Sequence, residues 1–217
     1  FAMNECQRFL NDSVPYDSIY DYRWTNNTFV GGAIHKHSGK HVHYAVEGQV
    51  CLLGYKIGEF DVHGTMSAYF RAGKDTMYLR ARALAKSMTP SPYLQHFRSN
   101  HVGFTYRFLG GVTLDYPTQW VRPRIDFSFE NRTHPIYISA ADWKPRQYEG
   151  NVQIITADIG VDITTPWINL ENRAIFQHTT NDSVLPVPMF TLQHRLYYHG
   201  TWFKALDAQI GVDVRYF

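Results

Sequence analysis

Phe203-Lys204-Ala205-Leu206-Asp207-Ala208-Gln209-Ile210-Gly211-Val212-Asp213-Val214-Arg215-Tyr216-Phe217 alternates with a period of two. Leu206, Ala208, Ile210, Val212, Val214 and Tyr216 fall on one side, and Asp207, Gln209, Gly211, Asp213 and Arg215 on the other. Successive side chains of a strand point to opposite faces, so this is one strand with an apolar and a charged side. It is longer than the usual ~5–6 residues of a globular strand and fits the ~9–11 that cross a bilayer.

The same design recurs upstream. Val42, Tyr44, Val46, Gly48, Val50 and Leu52 oppose His41, His43, Ala45, Glu47, Gln49 and Cys51. Phe60, Val62, Gly64, Met66, Ala68 and Phe70 oppose Asp61, His63, Thr65, Ser67, Tyr69 and Arg71. Met77, Leu79, Ala81, Ala83 and Ala85 oppose Tyr78, Arg80, Arg82 and Lys86. With turns at Ser38-Gly39-Lys40, Tyr55-Lys56-Ile57-Gly58 and Gly73-Lys74-Asp75, these read as a meander of antiparallel neighbours. After a break at 88–99, alternation resumes at Val102–Phe108, Val121–Glu130, Ile155–Ile163, Ile168–Gln177 and Phe190–Tyr198. Gly110-Gly111 reads as a bulge or turn, residues 140–150 as a loop, and residues 1–19 as an irregular lead-in. The reading gives roughly ten to twelve strands in one segment spanning 1–217 and no helix of useful length.

Composition limits the classes. The 217 residues carry a net charge of +2, against a strongly basic nucleic-acid binder. No apolar run approaches the ~18 residues of a membrane helix, which leaves a transmembrane barrel open. Cys6 and Cys51 cannot build a disulfide framework. A soluble β-sandwich would also alternate. Two features favour a barrel. Aromatics cluster near strand ends (Tyr44, Tyr55, Phe60, Phe70, Tyr106, Phe129, Tyr198, Trp202, Tyr216), as interfacial girdles do. The apolar sides use small residues such as Gly48, Gly64, Ala81 and Ala83, which fill a close-packed sandwich interior poorly. The expected fold is an all-β, antiparallel up-and-down transmembrane β-barrel.

Three stretches resemble the putative porin family of Bacteroidota: Tyr16-Asp17-Ser18-Ile19-Tyr20-Asp21-Tyr22; Pro92-Tyr93 with Ser99-Asn100-His101 and Phe104; and Gln209 through Phe217. The resemblance implies a bacterial outer-membrane barrel with a pore-like role and brings no catalytic residues with it. It also implies further strands beyond Phe217, so the sequence is expected to be an excerpt lacking both ends. The alternative is a true terminus on the aromatic pair Tyr216-Phe217.

In a barrel the polar faces line the lumen. Arg71, Arg80, Arg82, Lys86, Arg107, Arg122 and Arg124 would point inward with Glu47, Glu59, Asp61, Asp126, Asp158 and Asp162. One reading is cross-strand pairing that holds the wall together, with Glu59 and Asp61 beside Arg80 and Arg82. The sharper reading is an anion preference near Arg80, Arg82 and Lys86. His35, His37, His41 and His43 are the metal-ligand candidates. A three-residue turn would pair His37 with His41 and His35 with His43, bringing imidazoles suited to zinc or copper to the rim. The competing reading is four solvated histidines. Ser99-Asn100-His101 only superficially resembles a hydrolase grouping, and no enzyme and no cofactor are expected. The functional expectations are a passive pore for small hydrophilic solutes, or a non-conducting barrel anchoring an envelope complex. A soluble sandwich stands third. Expected partners are outer-membrane lipid and other envelope proteins, with no nucleic acid.

Overall fold

The computed structural model describes residues 2–10, 22–39, 41–91, 94, 102–203 and 205–217. The strands are β1 (Ala2–Leu10), β2 (Tyr22–Lys36), β3 (Val42–Gly54), β4 (Phe60–Ala72), β5 (Asp75–Met88), β6 (Thr105–Asp115), β7 (Val121–Thr133), β8 (Ile136–Ile138), β9 (Pro145–Gln147), β10 (Asn151–Thr164), β11 (Ile168–Thr179), β12 (Phe190–Trp202) and β13 (Leu206–Tyr216). Eleven of them form one sheet in the order β1-β2-β3-β4-β5-β6-β7-β10-β11-β12-β13, every neighbouring pair antiparallel. β8 and β9 form a separate hairpin between β7 and β10. The fold is all-β and up-and-down, as the alternation indicates. Among the described residues no helix is long and apolar enough to cross a membrane.

Three local readings change. Residues 2–10 form β1, although they were expected to be irregular. Asn4, Glu5, Gln7 and Arg8 mix polar groups on both parities, so no period of two announces the strand. The turn formers at 11–15, the Tyr16–Asp21 part of the first family-like stretch, and Pro92, Tyr93 and 99–101 lie outside the described residues. Within 140–150 the chain returns as β9. Gly110 and Gly111 make no bulge; they continue the ladder opposite Ala83 and Arg82. The register shift lies instead between Thr28 and Phe29, where Leu52 is the extra residue of β3. Nearby, Gly54 has φ 108°, and a Cβ there would stand 1.8 Å from the Asn26 carbonyl oxygen, so only glycine fits.

The two faces of the sheet are reversed relative to a water-soluble protein. Along β7, Ile125 is 52% exposed, Asp126 6%, Phe127 51% and Ser128 9%. Asp115, Asp158, Thr113 and Thr179 are buried, while Val46, Met66, Val112, Ile159, Ile210 and Val212 are exposed. The apolar side chains therefore do not pack on a second sheet. Connections also differ between the two ends. At one end they are 37–41, 73–74, 116–120, 165–167 and 203–205. At the other they are 11–21, 55–59, 89–104, 134–150 (which includes the hairpin) and 180–189.

The apolar face has one polar interruption in β11 and β12. Asn172 and His194 are registered partners, His194 Nδ1 lies 2.7 Å from Asn172 Oδ1, and Asn172 Nδ2 donates to the Val161 carbonyl.

Candidate functional site

The polar face gathers arginines and carboxylates because both occupy the same parity on successive strands. Direct register sets like charges opposite each other: Asp126 faces Asp158, and Arg107 faces Arg132. Like charges directly opposed are unfavourable, so each needs a counter-ion from another position. The arginines supply it through their length. Arg82 of β5 reaches over β6 to Asp126 of β7 with two bonds, Nη1–Oδ2 at 2.6 Å and Nη2–Oδ1 at 2.8 Å. Its path crosses Gly111, where a Cβ would stand 3.1 Å from Arg82 Cζ and Nε and from Ser128 Cβ. Thr113 completes the clamp by donating its hydroxyl to Asp126 Oδ2 at 2.5 Å. From the other side, Arg173 of β11 forks onto Asp158, with Nε 2.9 Å from Oδ2. Glu130 similarly joins Arg107 at 2.7 Å and Arg132 at 2.5 Å. Arg122 forks onto Asp115, and Arg195 links Glu171 to Asp213. Two-pronged contacts to half-buried carboxylates are the stronger class of ion pair.

The expected lumen residues are placed as follows. Glu47, Asp61, Arg71, Arg80, Arg82, Lys86, Arg107, Arg122, Arg124, Asp126, Asp158 and Asp162 all lie on the polar parity of their strands. Glu59 precedes β4 and accepts from Thr89 N at 3.4 Å. Its expected closeness, with Asp61, to Arg80 and Arg82 does not hold. β4 and β5 run in opposite directions, so Asp61 meets Lys86 at 3.0 Å, at the far end of β5 from Arg80. Asp115, Glu130, Arg132, Glu171, Arg173, Arg195 and Asp213 also form ion pairs on this face and lie outside the expected set. Their parity was the available signal.

The histidine pairing is corrected. His35 sits opposite Ala45 and Lys36 opposite Tyr44, so the connection is longer than three residues and the four imidazoles do not pair as expected. His35 and His37 stack at 5.5 Å. His43 is held by the Tyr69 hydroxyl at 3.1 Å and the Gly39 carbonyl at 2.9 Å. His35 and His63 instead flank Glu47, at 3.6 and 3.4 Å. Among the described residues no group of three or more His, Cys, Asp or Glu is placed to hold a metal ion.

At the long-connection end the polar face is covered. Val152 and Ile154 share the parity of Asp158 yet are buried, as are Val102 and Val184 from the connections. A cavity of about 340 Å³ lies there, lined by Thr105, Arg107, Arg132, Pro135 and Ile136 among others. Outside the sheet, Asp142 in the β8–β9 hairpin accepts from Arg146 at 3.1 Å, and chiefly that bond holds its carboxyl below the ordinary aspartate range.

Over residues 1–217 the chain matches the family model described as a putative porin. No curated protein matches it.

Proposed function

The chain belongs to the putative porin family, and we propose that it forms the wall of an outer-membrane pore through which small hydrophilic solutes and ions diffuse passively. The reversal of the two faces carries this reading: Asp126 and Ser128 are buried between exposed Ile125, Phe127 and Phe129. A soluble monomer's largest apolar patch is about 300–600 Å². Here the exposed apolar side chains continue on β3, β4, β6, β7 and β10 through β13. Acyl chains would cover that surface, and the polar face would enclose water. The span agrees. Leu206 to Tyr216 rises roughly 33 Å along the strand at about 3.3 Å per residue, or about 25 Å once tilted by ~40°, close to the apolar band of such barrels. Exposed Trp120, Trp167, Trp202 and Phe203 cluster at the short-connection end, where an interfacial girdle belongs. The likeness of Gln209–Phe217 supports a source in Bacteroidota.

A second reading has its own observation. The covered polar face at Val152 and Ile154 suits a barrel plugged by its connections, acting as an anchor for an envelope complex. Planar-bilayer recording on the full-length product, with co-purifying proteins identified in the same preparation, separates the two. We expect stepwise single-channel conductance. A protein that inserts without conducting and retains a stoichiometric partner would overturn the pore in favour of the anchor.

A further inference from the structure

An arginine bonded to a carboxylate ties the wall together, whereas one without such a bond presents its charge to a passing solute. On β5, β6 and β7, Arg82, Arg107, Arg122 and Arg132 each bond a carboxylate, and Lys86 bonds Asp61. Arg80 and Arg124 are exposed, and among the described residues neither guanidinium makes a hydrogen bond or an ion pair. Arg71 is also exposed, and its guanidinium donates to the Gly73 carbonyl at 3.3 Å.

Register puts these three at one end of the face. Arg80 lies opposite Thr113 and Arg124 opposite Asp115, on the two flanks of β6. Arg71 lies opposite Thr76, beside the 73–74 turn. Asp115 is occupied by both prongs of Arg122. Asp126 is taken by Arg82, and Glu171, opposite Asp162, is bonded by Arg195. Asp162 lies opposite Arg122, and Asp75 lies opposite Ala72 beside Lys74 at the turn. So Arg71, Lys74, Arg80, Arg122 and Arg124 stand against Asp75, Asp115 and Asp162, and positive charge is in excess there.

We propose that Arg71, Arg80 and Arg124 give the polar path an anion preference, favouring chloride and small phosphates or carboxylates over cations. The inference rests on the pore reading above and moves the selectivity away from Arg82 and Lys86, whose charge is already met. Guanidinium forks match phosphate and carboxylate oxygens, so the preference should be stronger for these than for spherical anions of equal charge.

The test is the reversal potential of the full-length protein in planar bilayers under a KCl gradient, repeated with potassium phosphate. At about 0.01 M salt, where charges act over ~30 Å, the wild type should favour chloride over potassium. The preference should shrink towards unity near 1 M, where the screening length is ~3 Å. Arg71→Gln/Arg80→Gln/Arg124→Gln should still conduct, with the low-salt anion-to-cation permeability ratio lowered at least about twofold. If the triple variant fails to insert, Arg80→Gln and Arg124→Gln alone should each show part of the shift. A conducting wild type that favours cations, or a ratio that these variants leave unchanged, overturns the inference and leaves the pore standing. A wild type that never conducts overturns the pore itself.

Discussion

Gly111 shows how one missing side chain organises charge. Arg82 and Asp126 lie two strands apart, and the guanidinium meets the carboxylate by lying across the bare backbone of β6. A methyl group at this position would contact Ser128 Cβ, which is fixed by its own backbone, and the Arg82 tip, which can move. Arg82 would lift away and leave buried Asp126 with little more than the Thr113 hydroxyl. Removing a partner from a buried polar group costs about 1–3 kcal/mol. Gly111→Ala should therefore lower the unfolding free energy in lipid vesicles by that order. In an Arg82→Gln/Asp126→Asn background the same change should cost far less, since no clamp remains to break. Equal costs in both backgrounds would show that Gly111 serves β6 alone. The clamp was not legible in the sequence. Gly110-Gly111 read as a break in the strand, because a glycine that makes room for a distant arginine looks the same as one that makes a turn.

Strand by strand, the period of two was legible and the pairing was not. From Val42 to Lys86, alternation gave both the strands and their faces. It could not give the partner of Arg80 or Asp61, because strand direction and turn length decide which positions meet. The histidine connection shows the same limit: with His35 opposite Ala45, the imidazoles do not pair across a three-residue turn as expected. β1 was invisible because its polar residues occupy both parities. The face assignment makes a quantitative demand. Ile125 lies within β7 and is 52% exposed, whereas Val121 is the first residue of the strand. Arginine on a lipid face costs about 2–4 kcal/mol at mid-depth and about 0–1 near the interface. Ile125→Arg should thus destabilise the protein in phospholipid vesicles by several-fold more than Val121→Arg, as read from denaturant titrations. A soluble protein with an open face would tolerate both alike.

Eleven strands of alternating direction leave β1 and β13 pointing the same way. An all-antiparallel closure between these edges takes an odd number of further strands, while a direct seam would be parallel. On the proposed pore reading, which way the sheet would sit in the membrane follows from the connections. Outer-membrane barrels keep short turns on the periplasmic side and longer loops outside. The short set contains 73–74 and 165–167, and the long set contains 89–104, 134–150 and 180–189. The exposed aromatics Trp120, Trp167 and Phe203 fall at the short end, on which the proposed anion-attracting arginines also lie. The hairpin and the loop that bears Val184 would then face the exterior and narrow the entrance. Cysteines introduced singly at Ser183 and Lys74 should report this orientation. On intact cells, in a Cys6→Ser/Cys51→Ser background, a membrane-impermeant maleimide should label Ser183→Cys above that background. Lys74→Cys should react only after the outer membrane is opened. The reverse pattern would invert the barrel and place the arginine patch at the outer mouth, where it would meet solutes before the covered end does.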